Sequence, residues 1–304
     1  MMCTRWRQLC FVLLASGCLW ILASCSNPQM ALKPSATETK APSPTVTLPP
    51  TPTPIPYAAL VNGEGIYLSD YLAEILRLQD AQSSLNIQSS QEEQKEIVLT
   101  DMINQVLLAQ AAVKEGYSIT ENEYNQIMDD LVQKAGGKDA FEGWLSSNHY
   151  DWESFTRLLK ISLASAWQRD RIIAGVPLEM EQVSVLQILV YDEALAQSIH
   201  AQLINGADFS ALAFQYDPQT GGWLGWFPKG YLFLPEIEET AFSLQPGTFS
   251  DVVKTAYGYH ILYLIEKEAK KPLSVNALKA LQQKELENWL KVARDNSEIQ
   301  IIHP

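Results

Sequence analysis

Four histidines, His149, His200, His260 and His303, and four cysteines, Cys3, Cys10, Cys18 and Cys25, have the strongest claim to chemistry in this chain. Their spacing excludes more than it supports. No two histidines stand at metal-ligand spacing and there is no HExxH, so no metal site is expected. Gly221-Gly222-Trp223-Leu224-Gly225-Trp226 is glycine-rich but lacks the lysine and the following helix of a phosphate-binding loop. No cofactor is expected. Two groups remain. His260 opens an apolar run in Gly258-Tyr259-His260-Ile261, and Asp217 precedes Pro218. A strand histidine reads as a satisfied core residue or as a site residue. Asp217 reads as a turn former or as a charged site group. Trp223 and Trp226 read as core side chains or as ligand platforms.

The cysteines point to export. Arg5 and Arg7 precede the apolar run FVLLASGCLWILA, and Leu22-Ala23-Ser24-Cys25 follows it. A charged start, a short apolar stretch and small residues before a cysteine make a lipoprotein signal over residues 1–24, with Cys25 as the lipidated residue. An ordinary signal peptide or a membrane anchor is the competing reading, and the run is short for a span of ~20 residues. Cys3, Cys10 and Cys18 fall in the removed segment, so the processed chain has no internal disulfide. The formal charge is −13, and loss of Arg5 and Arg7 makes it more acidic. Such a surface repels nucleic acid and anionic headgroups, so no nucleic acid partner is expected. The membrane contact is expected through the N-terminal lipid alone, on the outside of a bacterial membrane.

Residues 25–56 form a linker. Nine prolines occur among residues 26–56, interleaved with Thr and Ser. This composition cannot bury a core and favours extended polyproline conformations, with a reach on the order of 95 Å at ~3.1 Å per residue.

Residues 57–178 read as a helical domain. A short strand at 58–61 and the turn Asn62-Gly63 come first, then a helical spacing of apolar residues in DYLAEILRLQ. A helix over 92–115 ends at Gly116. Thr120 and Glu123 make a capping box, Gly136-Gly137 breaks the next helix, and Asp151 caps a long helix through Ile173. Residues 179–268 read as mixed α/β: a strand at 183–190, helices capped by Asp192 and Asp208, a third helix at 235–242, and strands at 248–253 and 259–265. Residues 269–304 hold an amphipathic helix and a short terminal strand. The fold class is therefore α+β. One small sheet domain argues against a two-lobed solute-binding protein.

The stretch GGWLGWFPKG, followed by PEIEETAFSLQPGTFSDVVKTAYGYHILYL, resembles parvulin-type peptidyl-prolyl isomerases in the order of its turns, helix and strands. VNGE at 61–64 and NQVLLAQAAVKEGYSIT at 104–120 resemble the N-terminal chaperone domain of SurA- and PrsA-type foldases. The resemblance implies a small antiparallel sheet wrapped by helices, inserted into the helical domain, with residues 269–304 returning to that domain. It implies binding of unfolded or nascent exported polypeptides and rotation about X-Pro bonds, without a cofactor. A non-catalytic holdase with a degenerate parvulin domain is the alternative.

The resemblance also distributes roles. Asp217 takes the family's acidic or Cys position, although the loop to Gly221 is shorter, and Trp223 stands where the family has Asp in GGDLGW. His260 takes the second family histidine. Gln187, in Leu186-Gln187-Ile188-Leu189-Val190, replaces the first histidine of SHILV; it can donate and accept but cannot titrate. GYLFLPEI carries one more residue than the family's GQMVPEF, so Leu232 or Phe233 replaces the Met and Ile237 the Phe of the proline cup. Phe242 and Trp226 complete the expected substrate-binding set.

Overall fold

The computed structural model describes residues 56–303. Contacts divide the chain into two units. One contains the described residues up to Ile103, Ile119–Leu158 and the chain from Ile299 on. The other contains Asn104–Ser118 and Leu159–Glu298. The division runs through two long helices.

In the first unit, β1 (Tyr57–Val61) pairs antiparallel with β2 (Glu64–Tyr67) through the Asn62-Gly63 turn, and both turn residues have positive φ. The terminal strand β7 (Ile299–Ile301) pairs with the other edge of β1. Ala58, Ala59 and Val61 are fully buried in this three-stranded sheet. Helices α1 (Leu68–Ser84), α3 (Glu121–Lys134) and α4 (Lys138–Ser147) follow, and of the three only α3 starts at a side-chain cap. Thr120 and Glu123 form the reciprocal capping box, and Gly136 and Gly137 take the positive φ that ends α3. Helix α2 (Gln91–Lys114) starts in this unit and α5 (Trp152–Ala174) has its first turns here, with Asp151 accepting from the Ser154 N–H at 2.6 Å. Asp70 is 3% exposed and accepts two bonds from the Arg157 guanidinium, at 2.9 and 2.8 Å. That pairing, foremost, holds Arg157 even more firmly protonated than usual. Among the described residues α2 alone is long and apolar enough to cross a membrane, and half of that window is buried inside the protein, as a core helix requires.

The second unit is built on an antiparallel sheet in the order β4-β3-β6-β5: β4 (Trp223–Pro228), β3 (Glu179–Val190), β6 (Gly258–Pro272) and β5 (Val253–Thr255). Alternation along the strands separates two cores. Val183, Val185, Leu262 and Leu264 face one way, onto Ile237, Ala241 and Phe242 of α8 (Pro235–Ser243). Ile188, Val190 and Ile261 face the other, onto α6 (Glu193–Ile204) and α7 (Phe209–Tyr216). Asp192 and Asp208 cap those two helices. Each fully buried aliphatic side chain contributes about 1.5–3 kcal/mol relative to exposure. Helix α9 (Val275–Asp295), capped by Ser274, also belongs to this unit.

Two strands are longer than the sequence reading has them, β3 from Glu179 and β6 to Pro272, and three further segments differ. Residues 248–252 are not a strand; β5 is confined to Val253–Thr255, and Phe249 makes an isolated bridge to Tyr263. Residues 223–228, to which the sequence reading assigns no strand, form β4. Residues 64–67 form β2. Glycines at 65 and 225 hide the period-2 pattern in both added strands. The signal segment, Cys25 and most of the linker lie outside the described residues.

Candidate active site

Residues 183, 185, 187 and 189 share one side of β3, and 260, 262 and 264 share that side of β6, because His260 lies directly opposite Leu189 and Leu262 opposite Gln187. Gln187 and His260 are therefore diagonal neighbours on the face that carries α8. His260 Nδ1 lies 3.0 Å from Gln187 Oε1, and its Nε2 lies 2.8 Å from Thr255 Oγ1. An amide carbonyl only accepts, so Nδ1 carries the proton and Nε2 accepts from the Thr255 hydroxyl. The Thr255 oxygen in turn accepts from the Tyr257 N–H at 3.0 Å. His260 is only 2% exposed, and burial pushes its pKa below the ordinary imidazole value, against the opposing pull of Glu236. The ring is a neutral bridge between two side chains that reach further out than it does. With its oxygen held by His260, Gln187 keeps its Nε2 hydrogens without a partner among the described residues.

Three local devices set this arrangement. The Gln187 N–H donates to the Gly222 carbonyl at 2.7 Å, and a Cβ on Gly222 would lie 2.0 Å from the Gln187 oxygen, so only glycine fits there. The hairpin turn between β5 and β6 brings Thr255 back to His260. Glu238, on the first turn of α8, accepts from the N–H groups of Gly230 (2.7 Å) and Leu232 (3.1 Å) and so fixes the loop ahead of the helix.

The other expected site residues spread over distinct environments. Ile237 is 2% exposed and fills the core beneath the sheet face, and Leu232 packs at the edge of the same cluster. Phe242 is buried edge-on against Phe227, ring centroids 6.2 Å apart. Phe233 is 75% exposed, and its ring meets that of exposed Tyr257 edge to face at 5.5 Å. Trp226 pairs with Ser184, on the side of the sheet opposite Val183 and Val185, and lies under the Lys271 ammonium at 4.1 Å. It does not join the group around His260. Nor does Asp217: its carboxylate accepts from the N–H of Gln219 and of Thr220 and from the Thr220 hydroxyl. Those bonds, the hydroxyl's first, hold its pKa below the usual carboxylate range. Asp217 builds the turn whose Gly222 carbonyl receives Gln187. Thr255 and Glu238 were not foreseen. The TAYGYH hairpin could have pointed to Thr255, and the start of a helix after a glycine loop to Glu238. Among the described residues no group of three or more His, Cys, Asp or Glu side chains could hold a metal ion.

Residues 191–266 match the model of the PPIC-type PPIase domain, and residues 55–152 match that of the SurA-like N-terminal domain. Foldase protein PrsA 1 of Listeria monocytogenes is 30% identical over 227 residues, spanning 67% of this chain and 76% of that protein. The chain belongs to the PrsA foldase family. Foldase protein PrsA 4 of Bacillus cereus is also 30% identical, over 60% of this chain and 68% of its own length. A crystal structure of PrsA, described as a peptidylprolyl isomerase, from Bacillus cereus is 28% identical and covers 80% of this chain and 91% of that one, with a TM-score of 0.46. This PrsA-family chain thus combines a SurA-like helical domain with a parvulin-type peptidyl-prolyl isomerase domain, as a foldase.

Proposed function

We propose that Gln187 is the group that acts on the substrate in this isomerase, held in place by His260 and, through His260, by Thr255. Rotation about an X-Pro bond must overcome ~18–20 kcal/mol, because twisting destroys amide resonance. The twisted prolyl nitrogen regains a lone pair, and a donor aimed at it stabilises the transition state more than the ground state. The unpartnered Nε2 of Gln187 supplies such a donor. His260 is too deeply buried to touch a peptide and serves as a positioning residue. Leu232 and Phe233, with Ile237 beneath them, form the apolar seat of the prolyl ring, and Phe242 supports it from the core. The observation that carries this reading is the short His260–Gln187 contact on the face of the sheet that packs against α8.

The test is exchange spectroscopy by NMR on a short X-Pro peptide with the full chain. Gln187→Ala and His260→Ala are expected to slow catalysed exchange by about 10- to 100-fold. No enhancement by the wild type would overturn the assignment. One observation favours a holdase instead: the Asp217 carboxylate is consumed by its own turn. Suppressed aggregation of an unfolded client without any enhancement of exchange would select that second reading.

The wider organisation is also our proposal: a lipoprotein signal over 1–24, lipidated Cys25 and a linker to 56, which hold a helical client-binding domain (57–178), the parvulin domain (179–268) and the tail (269–304) outside the bacterial membrane. The clients would be unfolded or nascent exported polypeptides. Incorporation of labelled fatty acid by the wild type and its loss in Cys25→Ser would support the anchor; an unlabelled wild type would rule it out.

A further inference from the structure

The first unit contains a cleft of about 520 Å³ between the end of α1 and the start of α2, lined by Gln79, Gln82, Ser83, Asn86, Ile87, Gln88, Ser89 and Gln94. Its size is in the range of ligand sites. Its chemistry is unusual, because no lining side chain is ionisable and four of the eight are glutamines. The amides form a directed relay. Gln79 Nε2 donates to Gln94 Oε1 and Gln94 Nε2 donates to Gln82 Oε1, each at 2.9 Å; the Ser89 hydroxyl also donates to Gln82 Oε1, at 2.8 Å. Gln94 is 9% exposed, so the centre of the relay is fixed. At its two ends the relay leaves complementary groups. Gln79 Oε1 is an acceptor and Gln82 Nε2 is a donor, and neither has a partner among the described residues.

An acceptor at one end of the relay and a donor at the other can take the N–H and C=O groups of an extended peptide, as the edge of a strand does. The same helix continues the surface in apolar form. Leu72 and Leu76 lie with Gln79 and Ser83 along one stripe of α1, at spacings of three and four, and both leucines are exposed. Leu85 and Ile87, beyond the end of α1, are exposed as well. Saccharide sites present an aromatic platform, and this lining has none. We propose that this cleft binds a neutral, extended polypeptide segment, with backbone amides on Gln79 and Gln82 and apolar side chains along Leu72 and Leu76. The inference rests on the foldase reading and gives it a location in the helical unit: a non-specific grip, since every residue offers the same backbone groups.

The test uses the full chain and calorimetric titration with an acetylated, amidated (Ser-Leu)5 peptide and its backbone N-methylated counterpart. Gln82→Glu keeps the oxygen that serves Gln94 and Ser89 and removes only the outward donor. Gln79→Met removes the outward acceptor, and with it the Nε2 bond to Gln94, without changing length. Each variant, and N-methylation of the peptide, is expected to weaken binding at least about tenfold, with the helical circular dichroism unchanged. Equal binding by wild type and both variants, or loss of binding accompanied by loss of helicity in both, would overturn the proposal. So would binding of maltohexaose in place of the peptide. If the wild type binds no peptide yet still suppresses aggregation of an unfolded client, the cleft is wrong and the foldase reading stands. If it does neither, both fall.

Discussion

His260 titrates against its surroundings. Burial lowers its pKa relative to the ordinary value of ~6.5. Between the unfolded and folded values the unfolded chain binds a proton that the native state refuses. The stability due to the neutral ring is therefore complete above the unfolded pKa and declines as pH falls below it toward the folded one. Catalysed exchange should be flat from neutral pH upward and should fall on the acid side, together with the stability of the sheet unit. An NMR titration of the His260 ring with an inflection above ~6.5 would contradict this. Thr255 supplies the second prediction at this scale. Thr255→Val preserves shape but leaves Nε2 of a buried imidazole without its donor, a cost of about 1–3 kcal/mol. Exchange should slow severalfold with the KM for peptide unchanged, because Thr255 acts through His260 and not on the substrate. A change confined to KM would instead make it a contact residue. Gln187 and His260 were legible in the sequence through their place in a motif. Thr255 was not singled out, since it belongs to no motif and meets His260 only through the hairpin that folds β5 onto β6, of which TAYGYH is the one local sign.

Elements whose ends are set locally could be read directly. Thr120, Asp151, Asp192 and Asp208 each cap the helix that follows, because a short polar side chain satisfies free N–H groups within three residues of itself. Elements that depend on a distant partner could not. Strand β4 contains Gly225 and two exposed residues at its start, and it becomes a strand only because β3 offers an open edge. The short turn before it is the clearest case of an element serving the site. Asp217 organises the turn, the turn delivers the Gly222 carbonyl, and that carbonyl fixes the backbone of Gln187. Gly222→Ala would place a Cβ against the Gln187 carbonyl at a φ of +73. The expected loss is about 2–4 kcal/mol, with Gln187 displaced and exchange reduced in proportion. Urea denaturation and peptide exchange on the same sample check both parts. A variant of wild-type stability would mean that the turn is freer than its contacts suggest.

At the scale of the molecule, strands from both ends of the described residues meet in one sheet. Strand β1 lies between β2 and β7, and the N–H groups of Ile302 and His303 both reach the Ala58 carbonyl, at 2.8 and 3.0 Å. The first unit is thus closed by residues that follow the second unit in the sequence. Its central strand carries Ala58, Ala59 and Val61 at full burial, so exposing one edge of β1 would weaken a core and not merely a rim. Removing the chain from Ile299 onward should accelerate amide exchange at Leu60 and its neighbours in β1 by about two orders of magnitude. The second unit has its own sheet and two cores, and the His260 ring resonance should not move. Hydrogen exchange read by NMR distinguishes the outcomes. Undiminished protection of β1 would mean that β2 alone holds it, and a shifted His260 signal would mean that the terminal strand also supports the isomerase domain.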